Sequence, residues 1–145
     1  MVDAGRLVWQ LVKIVVGYAV AVAAAGLFLS WGFFRPHGVD ADPVAFAATV
    51  GSGLISGFVI GGIAAIPAFA AILAAELLRL KSVIFHIAAG GLIGLGLWVL
   101  GDPAREAALR PGSTIALAAG FAAGLAYWLV AGRTSGKWRI LSPRE

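Results

Sequence analysis

The chain has 145 residues, of which 61% are hydrophobic and 12% charged, with a net charge of +4 and a mean hydropathy of +0.96. A soluble domain carries about 25% charged residues and could not hide this much apolar surface at such a size. A soluble enzyme, a nucleic-acid-binding domain and a disordered tail are therefore excluded, and the composition describes a small integral membrane protein. The absence of Cys removes disulfides, iron–sulfur clusters, thiolate zinc sites and cysteine nucleophiles.

A membrane span needs about 20 apolar residues. Four stretches meet that need: 14–34, 44–78, 83–100 and 114–131. The first follows Arg6, Trp9 and Lys13 and closes on Trp31, Phe33 and Phe34. Its basic start and Ala21-Val22-Ala23 look like a cleavable signal, but the apolar run continues to Phe34. A cleaved chain would expose that remainder, so an uncleaved span is expected.

The second stretch opens with Asp42 and Pro43, which suit an N-cap and a first helical residue. As one helix, 44–78 would be roughly 50 Å long, against a hydrocarbon core of about 30 Å. Either it is one long helix kinked at Pro67, or residues 44–54 lie at the interface and the span begins near Leu54. Residues 79–82 make a tight hairpin into the third stretch, 83–100, which closes on Trp98. The fourth, 114–131, follows Pro111 and Gly112, with Ser113 as expected N-cap, and closes on Tyr127 and Trp128. The aromatics sit where interfacial anchors belong. Residues 132–145 form a basic tail around Trp138, suited to an anionic leaflet.

Orientation follows from the 11 Lys and Arg residues. Arg6, Lys13, Arg79, Lys81, Arg133, Lys137, Arg139 and Arg144 share one side; Arg35, Arg105 and Arg110 hold the other. The positive-inside rule then puts both termini in the cytoplasm. The Ala/Gly-rich style suits a bacterial inner membrane.

Small residues recur at a spacing of four, which keeps them on one helix face. They are Gly53, Gly57 and Gly61 in the second span, Gly90 and Gly94 in the third, and Gly120 and Gly124 in the fourth. Close backbone approach drives helix association in lipid. The expected fold is thus an all-α, four-helix polytopic bundle, tightly packed, with spans two, three and four especially close. A weak internal match at an offset of 30 pairs Ala88, Gly90, Gly94 and Trp98 with Ala118, Gly120, Gly124 and Trp128, and reads as two helices selected for the same packing.

Ionisable residues inside membranes are the usual pointers to function. Here they are Glu76 and His86, flanking the hairpin. Glu76 is expected to pair with Arg79 or Lys81 at the headgroup level; the sharper reading joins Glu76 and His86 as a proton relay. No carboxylate lies mid-span, against proton-coupled export. His37, Asp40, Asp42, Asp102 and Glu106 in the other loops show no metal-ligand spacing, and Ser30, Thr49, Ser52 and Ser56 lack a paired base. No catalytic residue, metal or cofactor is indicated, so the protein is expected not to be an enzyme. Two functions stay open. One is an accessory or assembly subunit bound to other membrane proteins or to its own copies. The other is a small oligomeric channel or transporter with Pro67 and the Gly53, Gly57, Gly61 stripe along its path.

Overall fold

The computed structural model describes residues 3–35, 42–101 and 111–138. Four helices, α1 (Ala4–Phe34), α2 (Pro43–Leu78), α3 (Val83–Leu100) and α4 (Ser113–Val130), are followed by a single 3₁₀ turn, Gly132–Thr134. All four helices are long and apolar enough to cross a membrane, and no strand occurs among the described residues.

Helix α1 begins at Ala4, well before the apolar stretch that starts near Ile14. Asp3 caps it, accepting from the Arg6 N–H at 3.1 Å. The polar first turns carry Arg6, Gln10 and Lys13; hydropathy ends there although the helix does not. Asp42 caps α2, accepting from the Ala45 N–H at 2.9 Å, with Pro43 at the first turn. Helix α2 is a single 36-residue helix running through Pro67, roughly 54 Å long at 1.5 Å per residue. Helices α3 and α4, with 18 residues each, are about 27 Å long and match one hydrocarbon core.

The hairpin turn stops α2 without glycine. Arg79 adopts the left-handed conformation (φ 57°), and the Leu80 N–H returns to the Ala75 carbonyl at 2.8 Å, a Schellman-type end. At the start of α4 the cap is Gly112 rather than Ser113. Gly112 takes φ 93°, a region closed to most side chains, and a Cβ there would meet Trp98 and Phe33.

Packing runs α2 on α1, α1 on α4 and α4 on α3, while α2 and α3 scarcely touch. Spans three and four do pack together, but span two rides on span one, which corrects the expectation that all three crowd together. The short 79–82 connection joins two helices that diverge, and the molecule is open along one side between them. The reason lies in which backbones meet. A Cβ at Gly57 would stand 2.7 Å from the Val22 carbonyl oxygen and 3.1 Å from the Gly26 α-carbon, so α2 rides on α1. A Cβ at Gly94 would stand 2.7 Å from the Ala116 carbonyl oxygen, and one at Gly124 would overlap the His86 carbonyl, so α3 rides on α4. Below, the end holding the α2–α3 connection is the hairpin end; the opposite end is the loop end.

Candidate functional site

The polar side chains gather at the hairpin end. Glu76, in the last turn of α2, is only 6% exposed. Its carboxylate accepts three hydrogen bonds. Gln10 Nε2 of α1 donates to Oε1 at 2.6 Å; the Gly136 N–H and Trp138 Nε1 donate to Oε2 at 2.8 and 2.9 Å. Gln10 in turn accepts from Thr134 Oγ1 at 2.8 Å, and Thr134 Oγ1 also reaches the Ala131 carbonyl at 3.0 Å. The Asp3 N–H donates to the Trp138 carbonyl at 3.2 Å. A buried charge is tolerable only with such partners.

The expected ion pair does not form. Among the described residues the one salt bridge is Arg6–Asp3, and the donors to Glu76 are all neutral. Glu76 points inward toward α1 and the segment after α4, whereas Arg79 is the left-handed residue that ends the helix. A residue three positions away in sequence is therefore displaced by donors 60 and more positions away.

His86, 5% exposed, sits in the first turn of α3. Its Nδ1 lies 2.8 Å from the Ser82 carbonyl oxygen, and since a carbonyl only accepts, Nδ1 is the N–H donor. Nε2 is buried with no hydrogen-bond partner and faces Gly132, where a Cβ would come to 2.8 Å. Tyr127 of α4 stacks on the imidazole with ring centroids 5.7 Å apart. Its hydroxyl is also buried and unpartnered, as is Ser135 Oγ, at 0% exposure. Glu76 and His86 thus occupy one layer but share no hydrogen bond; Tyr127 packs beside the imidazole, and the segment after α4 reaches both. The direct relay read from the sequence has no bond to travel along.

A second feature is the open side. Between α2 and α3 lies a cavity of about 660 Å³, in the ~300–1,000 Å³ range of small-ligand sites. Ile60, Ala64 and Ala68 of α2 face Phe85, Ala89 and Ile93 of α3 across it, and α1 and α4 form its floor. His86 and Tyr127 border it at the hairpin end and Trp98 at the loop end. Gly57, Gly61, Gly90, Gly94, Gly120 and Gly124 are among its lining residues, whereas Gly53 is buried against Ser30 of α1. Pro67 is exposed and does not line it, whereas Gly57 and Gly61 of the glycine stripe do.

Thr49 Oγ1 donates to the Ala45 carbonyl at 2.8 Å and Ser52 Oγ to the Thr49 carbonyl at 3.1 Å, which occupies those hydroxyls locally. Among the described residues no three His, Asp or Glu side chains gather as metal ligands; His37, Asp40, Asp102 and Glu106 lie outside the described residues.

Sequence reasoning missed Gln10, Thr134, Ser135, Gly136 and Trp138 as members of the Glu76 layer. One signal was available for Gln10: it is the only Gln in a chain without Asn, and it sits one helical turn from an apolar span. Comparison with protein-family models, with curated proteins and with solved structures finds no match.

Proposed function

We propose that the protein is a non-catalytic accessory or assembly subunit of the bacterial inner membrane, with both termini cytoplasmic, that binds another membrane protein along α2. The observation that carries this reading is the outer face of α2. The longest helix is held along one stripe by α1, touches α3 little and is bound by the segment after α4 only at its hairpin end. Gly51, Ile55, Phe58, Val59, Gly62 and Ile66 recur at helical spacing on that free face. Ile55, Phe58, Val59 and Ile66 are exposed, Ile66 at 84%. A Cβ at Gly51 or Gly62 would meet nothing within 4 Å, so no contact among the described residues needs those glycines. Small residues flanked by large apolar ones permit close approach of a second helix in lipid. The small-residue stripes thus divide into an inner set that seats α2 on α1 and an outer set free for a partner.

The polar groups support this reading over a channel or transporter. The buried polar network lies in the hairpin-end layer, and the cavity beyond it is mostly apolar, with a few hydroxyl side chains from Tyr18, Ser30 and Ser56. Ion and polar-solute paths need polar lining or coordinating groups along their length.

Native mass spectrometry after gentle extraction from the cell membrane tests the proposal. Co-extraction with a larger membrane protein at fixed stoichiometry, lost in Gly62→Leu while the variant keeps its fold, is the expected result. A monomer or bare homo-oligomer in both forms would overturn it.

A further inference from the structure

Helices α2 and α3 scarcely touch, so their separation rests on the α1–α4 packing between them and on what joins them at the hairpin end. The segment after α4 is placed to join them there. From Ala131 it passes over the His86 imidazole at Gly132. It buries Ser135 completely. It crosses to the end of α2, where the Gly136 N–H and Trp138 indole bind the Glu76 carboxylate. Gly136 has φ 71°, and a Cβ there would run into Arg79 Cγ. The segment finishes on α1, where the Trp138 carbonyl accepts from the Asp3 N–H. Residues 132–138 therefore touch α3, α2 and α1 in turn, across the end of the open side.

We propose that residues 132–138 are a strap, clasped by Glu76, that ties α2 to the α3–α4 pair and sets how far the cleft between α2 and α3 opens. Glu76 is suited to the clasp because both its oxygens are used, one toward α1 and one toward the strap. Gln10 doubles the fastening, since it binds Glu76 and accepts from Thr134 of the strap. Beneath the strap lies His86 Nε2, buried and unpartnered, with the Tyr127 ring stacked on the imidazole. Lifting the strap uncovers the imidazole and frees the cleft end that His86 and Tyr127 border. The inference concerns the hairpin end and the cleft, and holds whatever partner covers the outer face of α2.

The test uses the full chain in lipid nanodiscs and two variants. Glu76→Gln keeps one acceptor oxygen but turns an N–H group toward the donors that Glu76 now satisfies. Trp138→Phe keeps an aromatic ring and removes one donor. Hydrogen exchange of the 134–138 amides is expected to speed up about tenfold or more in Glu76→Gln, the scale of one lost hydrogen bond to a charged group. Trp138→Phe should give a smaller rise at the same amides, and the mid-helix amides of α3 and α4 should not change in either. The cleft is read separately. The chain has no Cys, so Ala89→Cys on the cleft wall introduces a unique thiol, and its reaction with a small maleimide should accelerate when Glu76→Gln is added. Unchanged exchange at 134–138 would overturn the clasp. An equal rise through α3 and α4 would also overturn it, since Glu76 would then hold the whole fold. Faster strap exchange with unchanged maleimide labelling of the Ala89→Cys thiol would overturn the link to the cleft.

Discussion

The two ends of the molecule are built from different chemistry. At the hairpin end α1, α2 and the segment after α4 meet through hydrogen bonds that converge on Glu76. At the loop end the contacts are aromatic: Phe33 stacks on Trp98 at 5.7 Å, Trp31 meets Phe46 edge-on at 5.6 Å, and Gly112 lets the start of α4 fit beneath Phe33 and Trp98. The contrast locates the source of specificity in a chain this apolar. Aromatic and glycine contacts give close packing but accept many registers. A buried carboxylate with three donors of its own accepts one arrangement, because any other leaves polar groups stranded in a low-dielectric interior. The hairpin end fixes register, and the glycine stripes supply proximity.

Substitutions probe the two kinds of contact with effects of decreasing size. The largest is expected from Gly124→Leu, which places a side chain into the His86 carbonyl and its neighbouring backbone. Backbone cannot step aside as a side chain can, so the cost exceeds the ~1–3 kcal/mol of ordinary overpacking. Size-exclusion profiles of the purified variant should show loss of the folded form. Next comes Glu76→Ala. It strands donors from Gln10, Gly136 and Trp138, each costing about 1–3 kcal/mol when left unsatisfied. The loss should appear as opening of the hairpin end, with exchange of the 134–138 amides rising above that of Glu76→Gln. Exchange no faster than in the parent would mean that water replaces the carboxylate and that the hairpin end does not fix register. Asp42→Ala removes a cap at the loop end and should cost about 1 kcal/mol, seen as a modest fall in melting temperature. Gly62→Leu, pointing into open space, should stay within about 0.5 kcal/mol of the parent.

Much of the fold was legible because a membrane span announces itself by length and hydropathy. The four helices lie where four apolar stretches do. The start of α1 was not legible, since Arg6, Gln10 and Lys13 end the hydropathy signal while Asp3 carries the helix cap. The neighbours of each helix were not legible either. A spacing of four at Gly53, Gly57 and Gly61 names one face of α2, yet says nothing about which helix that face meets. The structure seats it on Gly26 and Val22 of α1, and the four-residue connection misleads by suggesting α3. At the site, Glu76 and His86 stand out by rarity alone. Their surroundings do not, because the partners of Glu76 come from the first helix and from a tail whose Arg133 and Lys137 look like topology charges. Trp138 read as a membrane-surface residue; its indole N–H serves a buried carboxylate instead.

Whether α2 carries a partner on its outer face is decided by one comparison: native mass spectra of the parent and of Gly62→Leu, extracted side by side from the cell membrane. The expected result is a complex with a larger membrane protein for the parent and its loss for the variant, with equal melting temperatures. A complex that survives Gly62→Leu intact, or a parent that is extracted alone, would contradict the proposal.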